Sequence, residues 1–194
     1  MPTRKILRTT IAPKGLLYFP EIVSREEEDA LLQRFADLPY QDFVLHGVAA
    51  KRKVKRYGYT YEFYAPLVEK EEPFPAWLEA LRDRAAAIAN LNPRLLEQAL
   101  VAKYDPGAGI GWHRDAPAFG PTVLGISFGT DDVMRFRKTH KDHFEHFRQP
   151  LERRSLYVIG GEARSVWQHS LAPAEQLRYS ITFRTVNTKY KAAR

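Results

Sequence analysis

Near its C-terminal end the chain reads Arg178-Tyr-Ser-Ile-Thr-Phe-Arg184. Polar and apolar residues alternate there with period two, the pattern of a β-strand with two unlike faces. Arg178, Ser180, Thr182 and Arg184 share one face, and Tyr179, Ile181 and Phe183 share the other. A lane with two arginines has two settings. Facing water, it belongs to an ordinary half-exposed strand; facing into a barrel, its guanidinium groups are buried charges that require anionic partners. Six residues at about 3.3 Å each separate the two Cα atoms by about 20 Å, so both meet one small ligand only by leaning inward from opposite ends. A five-carbon dicarboxylate suits that gap. Each Arg offers a carboxylate a two-pronged donor, and Tyr104 adds a phenolic one.

Working outward, the residues after Pro93 form short strand-like runs punctuated by Gly and Pro: Ala99 to Tyr104, Thr122 to Phe128, Val133 to Phe136, Ser155 to Ile159 and Arg178 to Val186. Such a texture predicts an antiparallel barrel or sandwich. Before Pro93 the pattern is mostly helical. Leu16 to Phe19 reads as a short strand, and Ser24 with Glu27 forms a capping box opening a helix through Ala30, Leu31, Leu32 and Phe35. A second helix follows Pro75, with Trp77, Leu78, Leu81, Ala85 and Ile88 along one stripe. No repeat or long linker divides the chain, so residues 1–194 are expected to form one α+β, mainly β domain with helices on one side of a sheet core.

The 194 residues are enough to enclose a core without covalent staples, and 44% are apolar against 27% charged. No uninterrupted apolar run approaches the roughly 18 residues that cross a bilayer. The absence of cysteine excludes disulfide scaffolds, thiol catalysis and thiolate-held metals. Any metal must sit on His, Asp or Glu. Thirty Lys and Arg against 23 Asp and Glu leave a net charge of +7, which favours a polyanionic partner. Arg8, Pro13 and Lys14 interrupt what would have to be the apolar core of a secretory leader, so a cytoplasmic location is expected.

A candidate metal set follows from Tyr104-Asp-Pro-Gly-Ala-Gly-Ile-Gly-Trp-His-Arg-Asp115. On an extended chain His113 and Asp115 point the same way, so imidazole and carboxylate can converge on one ion. Arg164-Ser-Val-Trp-Gln-His169 supplies a third donor 54 residues after the Asp (169 − 115), far enough for the chain to cross a sheet and return. Two His and one carboxylate leave coordination positions open and suit non-haem Fe(II). His140-Lys-Asp142, with His143 and His146, is a rival copy, but its charged surroundings predict a solvated helix or loop. Zinc hydrolysis is disfavoured because no His-Glu-x-x-His helix is present.

Three motifs in this order carry a family resemblance: Tyr-x-x-Gly-x-Gly-Ile-x-x-His-x-Asp ending at Asp115, Gly-Gly-x-x-Arg-x-x-Trp-x-His ending at His169, and Arg178 to Arg184. The chain resembles the AlkB family of Fe(II)- and 2-oxoglutarate-dependent dioxygenases over roughly Tyr57 to Thr185. The resemblance implies a double-stranded β-helix, a jelly-roll core supported by the N-terminal helices, with His113, Asp115 and His169 holding iron. It assigns Tyr104, Arg178 and Ser180 to the distal carboxylate of 2-oxoglutarate and Arg184 to the end that chelates the metal. Three protein ligands then leave two positions for 2-oxoglutarate and one for O2. The implied reaction is oxidative dealkylation of N-alkylated bases in DNA or RNA. The same chemistry on a protein or small molecule is the alternative. Ala102 stands where the family often has Asn, and Pro117 where some members carry an acidic residue that reads the base.

On the substrate side, Lys51, Arg52, Lys53, Lys55 and Arg56 precede Tyr57, Tyr59 and Tyr61. Cations neutralise phosphates and aromatic faces stack on unpaired bases, as single-stranded or flipped nucleotides require. The same pattern also fits a solvated basic loop whose tyrosines pack on the barrel. The resemblance places a nucleotide-recognition lid at residues 44–64, with Tyr59 and Tyr61 in it, and makes Trp112 a candidate wall of the base pocket. The expected partner is an alkylated nucleic acid met by a monomer, with no membrane role.

Overall fold

A computed structural model of the chain describes residues 11–45, 48–61 and 68–191. In chain order its elements are β1 (Leu16–Phe19), α1 (Arg25–Ala36), β2 (Gln41–Leu45), β3 (Val48–Tyr57), β4 (Tyr59–Tyr61), β5 (Val68–Lys70), α2 (Ala76–Ile88), β6 (Leu96–Tyr104) and β7 (Ile110–His113). There follow β8 (Phe119–Phe128), β9 (Asp132–Thr139), β10 (Phe144–Leu151), β11 (Leu156–Ile159), α3 (Gly161–Ser165), β12 (Gln168–Leu171) and β13 (Arg178–Val186). The seven-stranded sheet runs β1-β11-β8-β13-β6-β3-β2, and a four-stranded sheet runs β10-β9-β12-β7. All pairings in both are antiparallel. The jelly-roll core implied by the resemblance is present, with β4 and β5 as a separate hairpin.

Why the helices form is local. Ser24 Oγ accepts from the Glu27 amide at 3.1 Å, satisfying one orphan donor of α1, and Glu26, Glu27 and Glu28 sit at the positive end of its dipole. The Glu27 carboxylate accepts from Arg84 Nη1 at 2.7 Å, which ties α1 to α2. Both helices cover the outer face of the larger sheet. Phe35 is fully buried, with its ring 5.2 Å from Phe128, 5.5 Å from Tyr179 and 5.8 Å from Trp77.

The period-two reading of β13 then resolves. Tyr179, Ile181 and Phe183 join the helix-side core, while Arg178, Ser180 and Thr182 are buried on the opposite side, toward the smaller sheet. A second cluster joins Val54, Ala102 and Tyr104 of the larger sheet to Met134, Phe136 and Leu171 of the smaller one. The arginine lane faces inward.

Two regions differ from the sequence reading. The first half contributes β1, β2 and β3 to the larger sheet, so it is less helical than its pattern suggests. In β3, Arg52 and Val54 are both buried, because one face of this strand looks into a polar space where an inward cation is stable. Hydrophobic alternation is therefore missing. Similarly, residues 144–151 are an edge strand, not a helix or loop. Phe144, His146, Arg148 and Pro150 are exposed while Glu145, Phe147, Gln149 and Leu151 turn toward the protein, so the alternation is one of exposure and not of polarity.

Candidate active site

The Gly-rich turn before β7 is shaped by backbone contact. Gly107 has φ of +84°, and its amide donates to the Ala174 carbonyl at 2.8 Å. A Cβ on Gly109 would come within 2.7 Å of the Ala172 carbonyl oxygen, so only glycine lets the turn lie this close to the segment after β12. That contact helps align β7 with β12, where His113 and His169 are direct cross-strand partners. Two residues 56 apart (169 − 113) thus meet, with ring centroids 4.3 Å apart.

Asp115 follows immediately. Its Oδ2 lies 3.7 Å from His169 Nε2, and its Oδ1 accepts from Arg184 Nε at 3.0 Å with Nη2 also at 3.0 Å. Arg184 Nη1 donates to Gln98 Oε1 at 3.0 Å. Gln98 lies opposite Arg184 in the β6–β13 register, so the guanidinium is held from two sides and one carboxylate oxygen is left toward the imidazoles. Arg164 Nη2 donates to the Ala116 carbonyl at 3.0 Å, which secures the turn that follows Asp115.

Protonation states follow from burial and charge. Burial pushes the Asp115 carboxyl up, but Arg184 first, then His169, His113 and Arg164, outweigh it and hold the group well below the usual carboxylate range. Burial lowers His169 to about 3, with His113 adding to it and Asp115 opposing. Burial likewise lowers His113. The His113 Nδ1 hydrogen is donated to the Gly111 carbonyl at 2.9 Å, which leaves the Nε2 lone pair for an ion. An ionised carboxylate beside two neutral imidazoles is the charge state a divalent cation requires. Among the described residues no three such donors stand close enough to enclose an ion as placed.

One consequence is measurable. Protons compete with a metal only below the folded pKa of its imidazole ligands, and both here are depressed. The fall of Co(II) affinity with acidification is expected to set in at lower pH than for imidazoles titrating near 6.5, which would each lose about tenfold per pH unit below that value. A titration followed by the ligand-field spectrum checks this; a fall that begins at pH 7 contradicts it.

A cavity of about 710 Å³ opens between the sheets, and Tyr104, Ser180, Thr182, Arg184, His113 and His169 line it. Arg178, 1% exposed, lies behind this lining, with its guanidinium 5.2 Å from the ring centroid of Tyr104, which does line the cavity. Nη2 donates to Ser127 Oγ at 2.9 Å, and Asp132 Oδ2 lies 3.7 Å from Nε. Nε and Nη1 have no hydrogen-bond partner. A buried guanidinium with unused donors fits the distal carboxylate of a dicarboxylate. Gly125 permits another wall residue: its Cβ would lie 2.0 Å from the Tyr157 ring, so only a hydrogen there lets that ring pack flat.

The basic run divides. Lys51, Arg52 and Arg56 line the cavity, as does Trp112. Lys53 is exposed opposite Lys103, and Lys55 pairs with Glu72 and stands over the Tyr57 ring, away from the cavity lining. For Tyr57 and Tyr59 the alternative of tyrosines packed on the barrel describes the structure. Tyr57 packs in the helix-side core against Trp77, and Tyr59 packs beside Val68 and Tyr190 with Lys191 over its ring. Of the candidate lid, residues 48–57 form a strand held between β2 and β6, while residues 46–47, 62–64 and the Tyr61 side chain lie outside the described residues. Gln98, Ser127 and Asp132 were not legible as site residues, since only strand register brings them to the arginines.

Comparison with known proteins agrees with this arrangement. The model of the 2OG-Fe(II) oxygenase superfamily matches residues 15–184. Mouse (Mus musculus) tRNA (carboxymethyluridine(34)-5-O)-methyltransferase ALKBH8 is 32% identical over 174 residues, covering 83% of this chain and 24% of that protein. The zebrafish (Danio rerio) probable RNA/DNA demethylase ALKBH6 is 30% identical over 126 residues, 64% of this chain and 51% of that one. The chain thus spans about a quarter of the length of the ALKBH8 protein it matches. In fold, the structure of OsALKBH1 superimposes with a TM-score of 0.68 at 15% identity, covering 90% of this chain and 98% of that one. Motifs, sheet order and sequence likeness agree: the chain belongs to the 2OG-Fe(II) oxygenase superfamily and, within it, to the AlkB family.

Proposed function

We propose that this domain oxidatively dealkylates N-alkylated bases of DNA or RNA, presented single-stranded or flipped from a duplex. The observation that carries the reading is the meeting of His113, His169 and an ionised Asp115 at the wall of a cavity that also holds Lys51, Arg52 and Arg56. His113, Asp115 and His169 would hold Fe(II), and Tyr104, Arg178 and Ser180 would bind the distal carboxylate of 2-oxoglutarate. Arg184 orients Asp115 through its two contacts to Oδ1 and would meet the metal-chelating end of the co-substrate. Fe(II) held there would supply the oxidation: 2-oxoglutarate would leave as succinate and CO2 with one atom of O2, the other would become the hydroxyl of the N-linked alkyl carbon, and the hemiaminal would collapse to an aldehyde and the free base.

The chain's own residues supply orientation and charge. Arg178, without hydrogen bonds at Nε and Nη1, would draw a carboxylate to its side of the Tyr104 ring and so orient the rest of the molecule toward the imidazoles. Lys51 and Arg56 attract the phosphates beside a target base, and Trp112 offers a ring next to His113. ALKBH6, by its name a probable RNA/DNA demethylase, supports a nucleic-acid substrate, as does the positive charge.

The test is direct. Iron-loaded protein is incubated with 2-oxoglutarate and a panel of alkylated DNA and RNA oligonucleotides, with succinate and oligonucleotide mass followed together. Loss of the alkyl mass from at least one strand, in step with succinate and abolished by His113→Ala, is expected. Succinate formation that no alkylated strand stimulates overturns the reading in favour of a protein or small-molecule substrate.

A further inference from the structure

The four-stranded sheet has an outer face that meets the site only along the margin of Trp112 and Arg135. On β9 and β10 the inward residues Met134, Phe136 and Phe147 belong to the core. The outward residues are paired by register, Arg137 with His146, Arg135 with Arg148 and Thr139 with Phe144. Trp112 on the other edge strand, β7, completes the group. Arg137 stands 4.5 Å from the Trp112 ring centroid and 4.7 Å from that of Phe144, and Arg135 stands 5.5 Å from Trp112. His146 lies between the two aromatics, 6.3 Å from Trp112 and 6.1 Å from Phe144.

Three features set this face apart from an ordinary solvated sheet. The outward positions of β9, β10 and β12 carry no carboxylate, and none of the ion pairs among the described residues involves Arg135, Arg137 or Arg148. Phe144 is 44% exposed, and Arg135 Nε is buried with no hydrogen bond. The face is also continuous with the cavity: Trp112 and Arg135 line both, and Gly111, beside Trp112 in the chain and also in the lining, leaves its Cβ direction open, with no atom within 4 Å.

Resting on the function proposed above, we propose that this face docks the single-stranded nucleic acid flanking the base held in the cavity. Cations without acidic partners match a chain of phosphates. The exposed rings of Phe144 and His146, with Trp112 behind them, match unpaired bases, which stack on aromatic faces regardless of sequence. An acidic protein segment would satisfy the cations and leave the rings bare, so nucleic acid fits both halves of the surface.

Iron-free protein isolates this binding from chemistry. Fluorescence anisotropy of a labelled oligothymidine about ten nucleotides long is measured for the parent chain, Arg148→Glu and Phe144→Ala, with thermal melting as the control for folding. Both side chains are exposed on an edge strand, so the fold is expected to hold. Arg148→Glu is expected to weaken binding about tenfold and to reduce the slope of log affinity against log salt by about 0.7 or more. Phe144→Ala is expected to weaken it about fivefold with the salt slope unchanged, a signature that a merely electrostatic surface lacks. Unchanged affinity in both folded variants overturns the proposal, as does displacement of the strand by poly-glutamate at equal charge concentration. If methylated strands are still turned over in that case, the dealkylase reading survives and this surface alone is discarded. Tight strand binding without turnover of any alkylated strand supports the surface and removes the dealkylase reading.

Discussion

Arg178→Met is expected to fold at least as stably as the parent chain and to lose its response to 2-oxoglutarate. The guanidinium is 1% exposed, with one hydrogen bond to Ser127, a 3.7 Å approach to Asp132 and two nitrogens unused. A buried cation so incompletely paired stabilises the folded state little, and an apolar side chain of similar length removes its desolvation cost. A dicarboxylate seated on Nε and Nη1 repairs the same deficit, so binding and folding are linked through this residue. At a hundredfold excess over its dissociation constant, 2-oxoglutarate should stabilise the Mn(II)-loaded parent by about 2.7 kcal/mol and the variant by almost nothing. Thermal melting with and without co-substrate reads both quantities. A variant that melts lower and still shifts with 2-oxoglutarate would assign Arg178 to structure and not to binding.

Asp115→Ala is expected to do two separable kinds of damage. It removes the carboxylate from the candidate metal set, and it strands Arg184, whose side chain is 11% exposed beside an Asp115 side chain exposed only 6%. Deleting one partner of a buried pair costs about 3–5 kcal/mol, because the remaining charge is left unsolvated. Gln98 accepts one Arg184 hydrogen bond and softens the loss toward the lower figure. Combining Asp115→Ala with Arg184→Met should recover most of that stability, as expected for coupled neighbours, while metal binding stays absent. Urea unfolding measures the first effect and Co(II) titration the second. Recovery of metal binding in the double variant would exclude Asp115 as a ligand.

The candidate ligands were readable before any coordinates because each lies in a local pattern with a chemical reason: His-x-Asp on an extended chain, and a second His after a Trp. The fold divides the basic run. Its five cations look alike in sequence, yet β3 sends Arg52 inward, turns Lys53 to solvent and commits Lys55 to Glu72. The tyrosine pattern is compatible with stacking on bases or with packing on the barrel, and the rings of Tyr57 and Tyr59 pack in two separate clusters. The charged surroundings of the His-rich segment at 140–146 suggest a solvated helix or loop. Its tip is a turn in which His140 stacks 5.1 Å from His143 and pairs with Glu145, and an edge strand begins at Phe144, since pairing with β9 satisfies its backbone on one side.

By itself the sequence determined which residues share a strand face, which chemistry lacks its side chains, and which donors are spaced for one ion. Those properties depend on neighbours two or three positions away, and backbone geometry enforces them wherever the strand lies. Only the tertiary structure decided that the arginine lane of β13 points inward, that His169 returns opposite His113, and that Arg184 spends two contacts on Asp115. Each of these depends on strand pairing across tens of residues. A slip of one position would exchange the faces of a strand, so the choice belongs to the packing of both sheets and not to any local pattern.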